Sequence, residues 1–250
     1  GWNQFLYIKK TSGFEATYFK NGNQIVISFA GTNTKILSND GLGDLITDIE
    51  GGLGNATTQL VQAAEYYMYV KNNNPEVTEF IFTGHSLGGG LAALMGEFFN
   101  EKAIVFDPAP FANAADVNVK MAILDHLQGI PYQYVDPYSG NVMMIDRPRL
   151  YSKKYNLDEI NILAQDLLGF TNETVAARTL NVSGYYMQGE FCRYFPFADE
   201  FLNASNEIKH NVPGIGGDCR PWGWPLKLHS LSLLTAFMID NRLSELTAKL

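Results

Sequence analysis

The sequence predicts an α/β protein with a mostly parallel central sheet, helices on both faces, and a helical and hairpin insertion. Three observations predict it. Between residues 24 and 106 the pattern alternates strand, helix, strand, helix, strand, which is how parallel strands joined by crossover helices read. A Gly84-His85-Ser86-Leu87-Gly88 segment stands between the middle strand and the helix after it. The 250 residues are 46% hydrophobic and 13% aromatic, enough for one large core. The chain reads as a single domain over 1–250, with the insertion at approximately 112–178 and no linker bounding it.

Taken in order, the first element is a hairpin. Residues 14–19 and 24–29 flank Asn21-Gly22, a dipeptide that favours a tight turn between antiparallel strands. The second strand runs into Gly31-Thr32, and a loop rich in Asn and Gly follows over 33–43. Over 57–72, Leu60, Ala64, Tyr67 and Met68 recur at helical spacing, with Pro75 beyond the end, where a helix stops. Residues 77–82 read as a short strand. An Ala- and Leu-rich helix over 87–99 and an apolar strand over 103–106 come next, ending in Asp107-Pro108. Inside the insertion we expect a helix over 116–127, a hairpin turning at Ser139-Gly140 and a helix near 157–168. A strand at 180–187 and a helix at 229–246 complete the pattern.

Composition excludes several functions. Eighteen Lys and Arg against 26 Asp and Glu give a formal net charge of −8, which leaves no basic face for nucleic acid. No apolar run exceeds five residues, too short for a membrane-spanning helix. The opening GWNQFLYIKK lacks the charged-then-apolar layout of a signal peptide. Cys192 and Cys219 lack zinc spacing; they are one bridge in a secreted chain or two buried thiols. Asp40 and Asp44 have the wrong companions for a calcium loop. With no phosphate-binding Gly-rich loop or dinucleotide fingerprint either, neither cofactor nor metal is expected.

The strongest local signal is the Gly84–Gly88 segment. An apolar strand enters it and an Ala-rich helix leaves it, the context that a nucleophile elbow needs. Glycines remove Cβ atoms where strand and helix nearly touch, so the turn can project the Ser86 hydroxyl outward. The helix behind it offers free N–H groups and a positive dipole end to a developing oxyanion. The bland reading is an ordinary Gly-rich turn.

GHSLGG in this setting resembles the class 3 (fungal-type) lipases, a branch of the α/β-hydrolase superfamily. The resemblance implies an α/β-hydrolase fold and ester hydrolysis with Ser86 as the nucleophile. Phe29-Ala30-Gly31-Thr32 is similar to the family's oxyanion segment, although many members carry arginine in place of Ala30. It implies that Thr32 lines the oxyanion hole, with the Leu87 N–H as second donor. Asp48 matches the aspartate that holds this residue in the family. A strand-end turn and a helix cap would explain Thr32 and Asp48 without chemistry. The strong segments of the resemblance are 25–48, 79–95 and 226–236, and it says little about 112–178.

A serine nucleophile needs a base and an orienting acid. The chain has four histidines. His85 lies inside the elbow, and in the family it points away from the hydroxyl. His126 ends an amphipathic helix and reads as a surface residue. His210 sits in a polar stretch and is an outside candidate. His229, in Leu226-Lys227-Leu228-His229-Ser230-Leu231, is similar to the late His-Ser-hydrophobic segment that carries the family's base, and is the preferred one. For the acid, Glu190 follows the expected strand at 180–187, where class 3 lipases place an aspartate. Its rival is Asp107, in a Phe106-Asp107-Pro108-Ala109 segment similar to that used by pancreatic-type lipases. Glu190 is favoured because the oxyanion segment looks class 3, and Asp107 is otherwise a strand-end turn before proline. Asp136 and Asp199 rank lower.

Trp222 and Trp224, in a proline-bounded loop shortly before His229, either rim an acyl or membrane-contact site or form a packed aromatic loop. Residues 33–45 stand where the family has its lid, and the insertion is the alternative cover. The functional expectation is a serine esterase acting on lipid carboxyl esters, of lipase or phospholipase A type, through an acyl-enzyme. Its partners would be a lipid or small-ester substrate and, transiently, a membrane surface. The alternatives are a catalytically inactive binding module on this fold and a serine peptidase or acyltransferase. Either export does not use a signal peptide or the peptide lies outside this sequence, and a secreted or delivered effector or toxin domain cut from a longer chain is compatible with both.

Overall fold

The computed structural model describes residues 1–31, 55–109, 117–135, 139–145, 148–156, 158–159, 181–187 and 206–210. Strands β1 (Asn3–Lys9), β2 (Glu15–Asn21) and β3 (Gln24–Phe29) form an antiparallel ribbon. The expected hairpin is there, shifted by one residue. Asn21 pairs with Gln24, so Gly22 and Asn23 form the connection. Gly22 has φ 60°, a conformation that glycine adopts without a Cβ penalty. β1 was not expected, because its side chains are almost all exposed and show no alternation. Its ladder with β2 shifts register between Phe5 and Ile8, and Leu6 has φ 37°.

The rest of the main sheet is parallel. Helix α1 (Asn55–Asn72) leads into β4 (Glu79–His85), and α2 (Leu87–Phe99) leads into β5 (Lys102–Phe106). Helix α3 (Val117–Gln128) precedes a separate two-stranded sheet of β6 (Tyr132–Val135) and β7 (Val142–Ile145). Strands β8 (Val182–Met187) and β9 (Asn206–His210) close the main sheet, whose order is β1-β2-β3-β4-β5-β8-β9. The mostly parallel sheet with crossover helices expected from the sequence is there, and so is the hairpin turning at 139–140. β9 was not foreseen, because Asn206-Glu207-Ile208-Lys209-His210 carries little apolar pattern. The helices expected at 157–168 and 229–246 fall outside the described residues, apart from 158–159.

Phe80, Phe82 and Gly84 share one face of β4. Tyr67 of α1 meets Phe80 and Phe82 edge-on, at centroid distances of 5.5 and 5.1 Å. Gly88 of α2 lies against Gly84 of β4. Both helices therefore cover the same face. That follows from strand order: β3, β4 and β5 advance in one direction, and right-handed crossovers then stay on one side. On the opposite face Ile81 and Thr83 are half-buried and Ile104 is exposed. The core between helices and sheet holds Phe14, Ile25, Ile27, Phe29, Leu60, Tyr66, Phe82, Leu94, Met95 and Phe98. Each such large side chain contributes about 1.5–3 kcal/mol by burial.

Helix α3 is part of this core, with Val119, Ala122, Ile123, Leu124 and Leu127 buried. Its last turn corrects the reading of His126 as a surface residue. His126 is buried, and its Nε2 lies 2.8 Å from Oε2 of Glu65 on α1. The Glu65 carboxylate also accepts the N–H groups of Leu150 and Tyr151, both at 2.9 Å. Arg149 approaches it at 3.5 Å and donates to the His126 carbonyl. A buried charge is tolerated when it is paired and hydrogen-bonded in this way. One helix's periodicity could not show that the facing helix supplies an acid.

Candidate active site

Strands β3, β4, β5, β8 and β9 all end at one edge of the sheet. Phe29 pairs with Gly84, and His85, Phe106, Tyr185 and Ile208 form one row across β4, β5, β8 and β9. Ser86 stands just beyond that row. Its φ of 57° and ψ of −127° are unusual for a residue with a side chain. Such a conformation costs about 1–3 kcal/mol and persists only where the surroundings enforce it. The surroundings here are backbone. A Cβ on Gly84 would overlap the carbonyl of Gly88, and a Cβ on Gly88 would overlap that of Phe29 and lie 2.7 Å from the Ala30 carbonyl carbon. The two glycines let β4, α2 and the end of β3 approach closely enough to fix the turn.

Ser86 precedes α2 at the N-cap position, yet its side chain makes no capping hydrogen bond. The residue is half-buried. Leu87 begins α2, so its N–H belongs to the helix's first turn, where no intrahelical acceptor exists. The expected elbow is therefore formed: a strained serine on a strand-to-helix turn, with a helix N-terminus behind it.

The neighbouring strand holds the elbow from the side. The Ser86 N–H donates to the Phe106 carbonyl at 3.1 Å, and the Ser86 carbonyl accepts from Gly90 at 3.0 Å and Ala109 at 2.9 Å. Between Phe106 and Ala109 lies Asp107, which is fully buried and has φ 39°. Its N–H donates to the Tyr185 carbonyl of β8 at 2.8 Å. Its Oδ2 lies 3.9 Å from His85 Nε2. Asp107 thus stands at the edge that carries Ser86 as a buried carboxyl group, and the bland strand-end reading omitted its facing imidazole. The sequence offered Asp107 as the rival acid and His85 as an elbow residue turned away from the hydroxyl, but not that the two face each other. The available signal was the Asp-Pro after β5, a dipeptide that favours turn initiation.

Of the other site residues, Thr32, Asp48, Glu190 and His229 lie outside the described residues, as do 33–45, Trp222 and Trp224. In the chain, β3 ends three residues before Thr32 and β8 ends three residues before Glu190, both at the edge that carries Ser86. His210 is the last residue of β9, at the same edge. Among the described residues no group of His, Cys, Asp and Glu could hold a metal. No described helix is long and apolar enough to cross a membrane.

A family model described as phospholipase-like, the Tle-like phospholipase domain, matches residues 3–138, more than half of the chain. The chain belongs to the Tle-like phospholipase family. The matched stretch of this Tle-like phospholipase runs from β1 through β6 and contains Ser86, Leu87 and Asp107. Glu190, His210 and His229 lie beyond it. An esterase from Pyrobaculum calidifontis, in a monoclinic crystal form, is similar at a TM-score of 0.35 and 12% identity, over 99% of this chain and 86% of that one. No curated protein sequence matches the chain.

Proposed function

We propose that this Tle-like phospholipase is a serine esterase that cleaves carboxyl esters of membrane lipids, in the manner of a phospholipase A. The observation that carries the proposal is the strained Ser86 at the head of α2, with its side chain not spent on capping the helix. Ser86 attacks the acyl carbonyl, and His229 takes its proton. Glu190 orients the imidazole. The N–H groups of Leu87 and Thr32 hold the tetrahedral oxyanion, and Asp48 holds Thr32. The intermediate collapses to an acyl-enzyme as the ester C–O bond breaks and the lysophospholipid alcohol leaves with the proton from His229. Water, deprotonated by His229, then releases the fatty acid and restores Ser86. The likeness of 29–32, 84–88 and 226–231 to fungal-type class 3 lipases supports these roles. The end of β8 at the Ser86 edge, three residues before Glu190, supports the choice of acid.

Asp107 is the second reading of the acid. Its complete burial at the catalytic edge favours it, whereas its facing His85 favours a task at the elbow. An enzyme that cleaves bilayer lipids endangers the cell that makes it, which supports a secreted or delivered setting and transient membrane contact. The test incubates the protein with vesicles of mixed phospholipids and triglycerides and follows the lipids by mass spectrometry. Free fatty acid and lysophospholipid should appear, and Ser86→Ala should abolish both. Fluorophosphonate labelling at Ser86 separates an enzyme from an inactive binding module. Peptide amides and acyl acceptors offered in parallel would reveal a peptidase or acyltransferase.

A further inference from the structure

The triad reading leaves a carboxylate and an imidazole at the catalytic edge, Asp107 and His85, without a task. We propose that they form a coupled positioning pair that holds Ser86 in its reactive conformation. The inference rests on the reading of Ser86 as the nucleophile.

The contacts form a closed loop around two adjacent turns. Phe106, just before Asp107, accepts the Ser86 N–H; Ala109, two residues after it, donates to the Ser86 carbonyl. His85, just before Ser86, faces the Asp107 carboxylate at 3.9 Å. Both polar backbone groups of the nucleophile are thus gripped by residues flanking Asp107, and the side chain of Asp107 meets the residue next to the nucleophile.

Strain at the two positions is shared. Ser86 and Asp107 are both non-glycine residues at positive φ, 57° and 39°. Neither conformation would persist without surrounding contacts that enforce it. The N–H bond from Asp107 to the Tyr185 carbonyl extends the anchor to β8. A carboxylate as deeply buried as Asp107 needs hydrogen bonds or a cation to offset its lost hydration. The imidazole, 21% exposed, supplies a cation when protonated and retains access to water. The side chains at 85 and 107 therefore tune where the Ser86 hydroxyl sits, without touching the reacting atoms.

The test measures kcat and KM on p-nitrophenyl butyrate, the rate of fluorophosphonate labelling at Ser86, and melting temperature. The proteins compared are the wild type, His85→Gln, Asp107→Asn and the double variant. Each single change should lower kcat and labelling about tenfold, with KM within about twofold and melting little altered. The double variant should be no slower than the worse single one, because coupled residues are not additive. Wild-type kcat in His85→Gln, multiplicative losses, or losses that track melting would overturn the pair. So would a collapse of kcat in Asp107→Asn alone, which would make Asp107 the triad acid. If Asp107→Asn does not fold, His85→Gln at its part-exposed position decides by itself. Failure of the wild type to label at Ser86 would sink the esterase reading instead, a separate result.

Discussion

The Ala109 N–H donates to the Ser86 carbonyl at 2.9 Å, tying the proposed nucleophile to the strand beside its own. With the Phe106 contact, this keeps Ser86 at φ 57° against its own preference. Ser86→Gly should therefore stabilise the protein by about 1 kcal/mol, because glycine accepts that conformation freely. The same variant should lose ester hydrolysis. Chemical denaturation beside an esterase assay checks both, and a less stable Ser86→Gly protein would contradict the strain argument.

Two glycines should respond to alanine for different reasons. At Gly88 the new Cβ would meet fixed backbone of Phe29 and Ala30, so we expect a loss of about 3 kcal/mol or more. At Gly22 nothing lies within 4 Å, and only φ 60° is at issue, so the loss should be about 1 kcal/mol. Equal losses in denaturant titrations would contradict the assignment of causes.

Glu65 should make the protein sensitive to acid. Burial pushes its carboxyl up, but hydrogen bonds from His126, Leu150 and Tyr151 outweigh burial and leave it below the ordinary value. A carboxyl depressed by folding contributes stability above its unfolded value, and loses it as pH falls below that value toward the folded one. Glu65→Gln should cost about 3–5 kcal/mol near neutrality, the typical loss on breaking a buried pair. Its stability should fall less steeply below about pH 4.5 than the wild type's. Melting temperatures across that range check the slope, and parallel curves would rule Glu65 out as its source.

Glu97 on α2 titrates in the opposite sense. Burial pushes its carboxyl up to about 7, against the opposing charge of Lys120 on α3. Between its unfolded value and about 7 the folded state binds the extra proton, so this group's contribution declines as pH rises through that window. Glu97→Gln should therefore gain stability relative to the wild type between pH 5 and pH 8. A pH-independent difference in melting would refute this.

The acid can be assigned by comparing two amides. Glu190→Gln should lower kcat by about three to four orders of magnitude, as loss of a triad carboxylate does. Asp107→Asn should cost only about tenfold if it positions the elbow. Steady-state kinetics on one short-chain ester decides, and the reverse ranking would transfer the role to Asp107.

The elements around Ser86 were legible because local rules determine them. Helix α2 begins and ends where the sequence places it, since glycine spacing and an unbroken apolar run leave little choice. The β2–β3 hairpin follows from its turn residues. β1 and β9 were not legible, because edge pairing stabilises them more than any pattern of their own. The faces of the helices depend on strand order, which no single segment encodes. His126 and Asp107 show the same limit. Each is defined by a partner distant in the chain or on another strand, Glu65 for one and His85 for the other.

The break in β1 bears on how the protein behaves at high concentration. Trp2, Phe5, Leu6 and Tyr7 leave much aromatic and aliphatic surface in water along the outermost described strand, which invites another sheet to dock. The turned backbone at Leu6 interrupts the row of donors and acceptors that a docking strand would need, and Lys9 and Lys10 follow it with charge. The kink at Leu6 and the two lysines after it thus oppose strand-to-strand docking along a margin that is otherwise apolar.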